Sequence, residues 1–411
     1  MALLNFRLMK IHVFLSGLAV LLCTACSPQS SVLPDARTLA PQMYPGWNLG
    51  NTFEGGDTKN LFTNGAGLAG ETVWQDTRTT REIIGYVKSL GFRSVRIPCA
   101  WVMGHVTDSV ELTVDPAWMS RVREVVDWCI ADSLYVILND HWDGGWLENS
   151  FNRTDSATVT LNSARLRKVW TQIATEFRDY DHHLLFAGLN EPNNNDNSVF
   201  KNKASIDALI TYEQTFIDAV RSTGGNNASR VLVLQGPSTD IDITWKSYDV
   251  ERLHDTASGA LMVEVHYYTP WQFCGLEEDA TWGRMWYYWG SGNHNSDAPE
   301  RNCTYAEEDF LDGQFRKMHD KFVSKGYPVI IGEYGTQWRM TGDSLHNASV
   351  RAFHRAVNRS AVSNGCVPFV WGTNYTGFPA MTVINRATLS VFNPHAMEGI
   401  REGVAEASWP E

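Results

Sequence analysis

Leu184–Asn193, LLFAGLNEPN, is an apolar run that stops on an amide, a carboxylate and a proline. Leu184, Leu185, Phe186, Ala187 and Leu189 read as a strand buried on both faces, the kind found in parallel sheets. Pro192 has no N–H to give the ladder and ends it. Asn190 and Glu191 therefore stand at the C-terminal edge of that strand. In an α/β barrel this edge is the catalytic face, so a carboxylate here calls for a partner at the end of another strand. Glu333 in VIIGEYGT has the same layout of apolar strand, Glu and turn.

Working outward, seven more apolar runs read as strands: Gly46–Gly50, Ser94–Pro98, Tyr135–Asn139, Val231–Gln235, Met262–His266, Val329–Gly332 and Val367–Trp371. The intervening segments carry apolar residues at helical spacing over Arg81–Leu90, Ala117–Asp132, Ser163–Arg178, Ile206–Ser222, Glu307–Lys325 and Asn347–Asn364. Parallel strands need crossover helices, and eight strand–helix units close on themselves, so the pattern predicts a single-domain α/β fold, a (β/α)8 TIM barrel. A doubly wound sheet is the second choice. It is disfavoured because Gly46–Gly55 lacks the GxGxxG spacing of a phosphate loop.

Each strand ends on a group able to do chemistry. Asn48 and Asn51 follow the first, Arg96 lies in the second, His141 and Trp142 follow the third, and Asn190-Glu191 end the fourth. Gln235, His266 with Tyr268, Glu333 and Trp371 complete the rim. Two glutamates on one rim suit double-displacement glycoside hydrolysis, in which one carboxylic acid protonates the leaving oxygen and the other carboxylate attacks the anomeric carbon. Arg96 is a natural partner for the nucleophile, as a permanent charge with a forked donor, and Tyr268 is a further donor to the same group. His141 and His266 are suited to substrate hydroxyls or to holding the carboxylates. Asn190 suits a sugar 2-hydroxyl, and Trp371 offers a platform for a pyranose face.

GWNLGN, VRIP, LNDHWDGGW, LNEPN, VHYYTPW, IGEYG and VWGTN, in this order and spacing, resemble the family 5 glycoside hydrolases of clan A over roughly Tyr44 to Trp371. The resemblance implies that Glu191 is the acid/base and Glu333 the nucleophile, with Arg96, His141, Asn190, His266, Tyr268 and Trp371 in support. It implies a retaining enzyme without a cofactor, acting inside β-1,4-linked glucans, with mannan and xyloglucan specialists among its relatives. Many members carry a second His after strand three, where this chain has Trp142, and a different polar residue after the strand-eight Trp. Both differences bear on substrate rather than on reaction. The rival readings are a xyloglucan- or mannan-specific hydrolase, an exo-acting or transglycosylating relative, and a non-catalytic glycan-binding surface lipoprotein. The last has no need of both glutamates.

Composition agrees with a glycan partner. The 411 residues include 16 Trp and 14 Tyr, whose apolar faces and polar tips suit sugar rings as well as cores. The formal charge of −12 disfavours nucleic acid. Arg7 and Lys10 precede an apolar run, Ile11–Leu22, too short to span a membrane, so residues 1–25 read as a secretory signal peptide. Ala25-Cys26 resembles a bacterial lipobox. Cys26 is thus the expected lipid anchor, and with it the only membrane attachment; ordinary cleavage nearby is the alternative. Residues 26–43 read as anchor and tether, and 44–411 as the catalytic domain. The expected location is the outer membrane or cell surface as a lipoprotein, otherwise the periplasm or medium, with the protein a monomer. With Cys23 and Cys26 of the signal segment set aside, no CxxC or HExxH spacing is present, and no metal site is expected. Cys99, Cys129 and Cys366 read as buried small hydrophobes. Cys274 and Cys303 bracket a polar loop and are candidates for a disulfide in an exported protein. The Trp-rich stretch from Tyr268 to Glu308 reads either as a wall of the substrate cleft or as a satellite hydrophobic cluster.

Overall fold

The computed structural model describes residues 33–339 and 342–410. Eight parallel strands close into a barrel: β1 (Gly46–Asn48), β2 (Ser94–Ile97), β3 (Tyr135–Asn139), β4 (Leu184–Ala187), β5 (Leu232–Gln235), β6 (Leu261–Tyr267), β7 (Val329–Tyr334) and β8 (Cys366–Val370). Eight helices follow them in turn: α1 (Arg81–Ser89), α2 (Pro116–Ala131), α3 (Ser156–Glu176), α4 (Lys203–Ser222), α5 (Ile241–Ser247), α6 (Glu308–Lys321), α7 (Ser344–Ser363) and α8 (Pro394–Glu406). The (β/α)8 expectation holds. Helices α5 and α8 are additions to it, one too short to show a period and the other beyond the last strand. Among the described residues no helix is long and apolar enough to cross a membrane.

Strand alternation sorts side chains into two layers. Val136, Leu138, Leu184, Phe186, Val263 and Val265 face the helices, while Ile137, Leu185, Ala187, Val233, Met262 and Ile330 fill the lower barrel interior. Leu185 is fully buried there. Leu185→Ala is expected to cost about 2–5 kcal/mol, read as a lower urea midpoint, with turnover per folded molecule unchanged. Near the top, the inward positions change character: Asn48, Arg96, Asn139, Gln235 and Glu264 are polar and all 0% exposed. A buried polar layer must satisfy itself, and this one supports the site. The base of β4 is tied down separately. Buried Arg230 donates to the carbonyls of Leu184 (2.7 Å), Tyr180 (2.7 Å) and Asp181 (2.9 Å).

One irregularity falls on β7. Val265 pairs with Ile331 but His266 pairs with Glu333, and on the other side Pro368 pairs with Ile331 but Val370 with Tyr334. Strand β7 thus carries one extra residue at Gly332, a bulge of the kind that re-aims a side chain. Plain alternation from inward Ile330 would turn Glu333 toward the helices. The bulge turns it inward.

Two expectations need correction. Residues 33–43 are not tether: Ala36–Leu39 is a short helix capped by Asp35, and Ala36, Leu39, Ala40 and Met43 pack into the lower barrel core. The signal segment, Cys26 and residues 27–32 lie outside the described residues. Cys274 and Cys303 are free thiols, both buried in the apolar layer with Trp289 and Phe273, and serve as small hydrophobes. Of the two readings of the Tyr268–Glu308 stretch, the hydrophobic cluster is present. Trp286, Tyr288 and Trp289 within it are buried, while Trp271 and Trp282 are exposed.

Candidate active site

The eight residues singled out from sequence converge at the C-terminal mouth of the barrel. Arg96, on β2, is the hub. Its Nη1 donates to Glu333 Oε1 (3.0 Å) and Asn48 Oδ1 (3.1 Å), and its Nη2 to Asn190 Oδ1 (2.8 Å). Tyr268 donates its hydroxyl to the other Glu333 oxygen, Oε2, at 3.0 Å. Burial raises the Tyr268 phenol well above its ordinary value, with the negative charge of Glu333 adding to the effect, so it stays a donor.

Glu191, one residue past Asn190, has an Oε1 2.8 Å from His266 Nδ1 and an Oε2 that accepts from Asn194 at 2.7 Å. An oxygen of Glu191 and an oxygen of Glu333 lie within 4.8 Å of each other, with His266 Nδ1 2.8 Å from Glu191 Oε1 and 3.7 Å from Glu333 Oε2. That separation matches retaining enzymes, whose carboxyls stand about 5–5.5 Å apart, and is shorter than the roughly 6.5–9.5 Å of inverting ones.

The charges assign characters to these groups. Burial pushes His266 down, but the charge of Glu333 and the hydrogen bonds of Glu191 and Glu264 override it and carry the ring up to about 10. His266 is an imidazolium at neutral pH. Burial raises the Glu333 carboxyl, against the pull of His266 and Arg96 toward the carboxylate. Three carboxyls (Glu191, Glu264 and Glu333) thus share a pocket with two cations, Arg96 and His266. Arg96 and Tyr268 both donate to Glu333, which favours the ionised form there.

Neighbouring amides fix the remaining orientations. Asn139 accepts the Cys99 N–H on its oxygen (3.2 Å), so its nitrogen faces His141 Nδ1 (3.2 Å). His141 is then left with its proton on Nε2, 4.0 Å from Glu333 Oε1 and outside hydrogen-bond range, free for a substrate hydroxyl. Burial, with Arg96 and His266 nearby, holds it well below its ordinary value and hence neutral. Asn190 spends its oxygen on Arg96, so its NH2 is the end it has to give elsewhere. Trp371 stacks against His141 at 5.7 Å and 15° and remains half-buried, one face of the mouth.

Two acidic residues of the site escaped the reading of rim positions. Glu264 ion-pairs with Arg96 Nε at 2.9 Å and is fully buried; the alternation in Met262-Val-Glu-Val-His266 places it on the His266 face and was the available signal. Glu148 accepts the backbone N–H of Glu191 on Oε2 (3.0 Å) and that of Asn193 on its own carbonyl (2.7 Å), so it fixes the turn that presents Glu191. Burial, then the charge of Glu191, pushes Glu148 up to about 8. It arrives on an aperiodic loop with Trp142, Asp143, Gly144 and Gly145 all at positive φ, and no sequence signal marks it.

Comparison with known proteins agrees with this geometry. Residues 56–377 match the family model for cellulase (glycosyl hydrolase family 5). Endoglucanase A of Paenibacillus barcinonensis is 33% identical over 90% of this chain and 90% of its own length. A xyloglucan-specific endo-beta-1,4-glucanase of Bacteroides ovatus is 32% identical over 89% of this chain and 70% of that protein. Among solved structures, a xyloglucan-specific beta-1,4-glucanase from a ruminal metagenomic library, in complex with XXLG, superposes with a TM-score of 0.84. It shares 46% identity over 92% of this chain and 98% of the other. With the two-glutamate mouth and the match over most of its length, this chain belongs to glycosyl hydrolase family 5.

Proposed function

We propose that the protein is a retaining endo-β-1,4-glucanase in which Glu333 is the nucleophile and Glu191 the acid/base. The observation that carries the reading is the pair of carboxyls within 4.8 Å, one held by Arg96 and Tyr268, the other by His266 and Asn194. In the first step a Glu333 oxygen attacks the anomeric carbon while the glycosidic C–O bond breaks and Glu191 gives its proton to the leaving oxygen. In the second, Glu191 takes a proton from water as that water displaces Glu333, returning both groups to their starting states. Asn190, through its free NH2, holds the sugar 2-hydroxyl, a contact that strengthens as positive charge grows on the ring. Trp371 supplies the face against which the ring rests.

A second reading, xyloglucan as the preferred glucan, is favoured by the 46% identity to the xyloglucan-specific structure over nearly the whole chain. Purified protein assayed on carboxymethyl cellulose, mixed-linkage β-glucan, xyloglucan and mannan tests both. The expected result is release of oligosaccharides from the glucans, with a rapid fall in viscosity. Monosaccharide as the main product from the first minutes would overturn endo action, and mannan as the sole substrate would overturn the glucanase reading.

A further inference from the structure

Glu264 lies beside the proposed catalytic pair and touches both cations that face it, Arg96 and His266. Its Oε1 lies 2.9 Å from Arg96 Nε and 3.3 Å from His266 Nε2, and its Oε2 accepts from Gln235 Nε2 at 2.6 Å. Gln235 is itself oriented, because its oxygen takes the Leu189 N–H at 2.8 Å, on the segment leading to Asn190 and Glu191. The chain makes room for this carboxylate. A Cβ on Gly332 would stand 1.8 Å from Glu264 Oε1, so the bulged residue before Glu333 has to lack a side chain. Burial of an unpaired carboxylate is costly, and here Arg96, His266 and Gln235 together compensate it.

We propose that Glu264 is a positioning residue for the reaction: a buried carboxylate that keeps His266 an imidazolium and Arg96 square to Glu333, so that the Glu191–Glu333 pair retains one proton. The inference rests on the glycosidase reading above. His266 offers Nδ1 to Glu191 and Nε2 to Glu264, a carboxylate at each end of one ring. With both nitrogens facing acceptors, a doubly protonated ring satisfies both contacts. A neutral ring satisfies both only by borrowing the Glu191 proton. Glu264 is itself held below the ordinary carboxyl value: burial works to raise it, but the Arg96 charge and the His266 contact prevail. The other groups facing this centre do not substitute for it. His141, on the β3 side, is neutral, Tyr268 is a phenol, and Glu148 accepts backbone N–H groups of Glu191 and Asn193 rather than contacting Arg96 or His266.

Removing the Glu264 charge leaves the two cations opposed by the pair alone, so the pair gives up its proton more easily. In Glu264→Gln the basic limb of kcat/KM against pH is therefore expected to move down by about one pH unit, with kcat/KM at the optimum lower by about 10-fold or more. Glu264→Asp keeps the charge and is expected to keep the limb where the wild type has it, though at reduced rate. A limb unmoved in Glu264→Gln, or moved equally in both variants, overturns the proposal, since packing alone would then explain the loss. Should Glu264→Gln not fold, ring-¹⁵N NMR of the wild type at pH 8 decides, with His266 assigned by its missing signal in His266→Asn. An imidazolium supports the proposal and a neutral ring overturns it. A wild-type protein without glucan hydrolysis would instead strike the reading on which the proposal rests, and the NMR result would stand apart from that failure.

Discussion

Glu333→Gln is expected to lower kcat/KM for β-glucan hydrolysis by on the order of 10³-fold or more while the thermal midpoint stays close to that of the wild type. The amide fills the same volume and still accepts from Tyr268 or Arg96, so the fold has no reason to change. What it lacks is the negative charge and the nucleophilicity that form the glycosyl ester. Arg96 keeps Glu264 as a counter-ion, which limits the penalty of the lost charge. Glu333→Ala carries the argument further. It opens a space beside the anomeric carbon, and azide entering it attacks from the face the nucleophile used, giving an α-glycosyl azide from an activated β-glycoside. Near wild-type turnover in Glu333→Gln would refute the assignment.

Glu191→Ala fails differently, and the difference identifies the role. On β-glucan the leaving oxygen is a poor leaving group that needs its proton, and kcat is expected to fall by about 10²–10⁴-fold. On an aryl cellobioside whose leaving group departs unprotonated, the first step survives. The second slows, because no base activates water, so a burst of phenol precedes a slow steady state. Azide needs no base, and it is expected to restore turnover and yield the β-glycosyl azide, the opposite anomer from that of Glu333→Ala. Equal loss on both substrates without a burst would remove Glu191 from the acid/base role.

The strands were legible because a parallel barrel buries both faces of every strand, and runs such as Tyr135–Asn139 and Val329–Gly332 have few other uses in a chain with this spacing. The catalytic mouth was legible for a related reason, since polar residues at strand ends such as Arg96, Glu191 and Glu333 interrupt those runs. The second layer was harder. Glu264 and Asn139 lie inside strands, where a polar residue reads as a blemish until alternation is followed. Glu148 and Arg386 come from loops whose paths no period encodes; Arg386 is buried and clasps the carbonyls of Gly50 and Gly372, joining the segments after β1 and β8. The misplaced start of the domain has its own cause. Pro and Ser near residues 27–43 suggest a linker, but Ala36, Leu39 and Met43 are spaced to cover the open base of a barrel, which only the closed structure reveals.

The extra residue in β7 has a consequence for how this protein tolerates change. A chain shortened by Gly332 would run in plain alternation, with Ile331 toward the helices and Glu333 next in line, still inward and opposite His266. A residue with a side chain in its place keeps the extra length but drives a Cβ into the Glu264 carboxylate. At this one position of the barrel a lost codon is expected to be milder than an altered one.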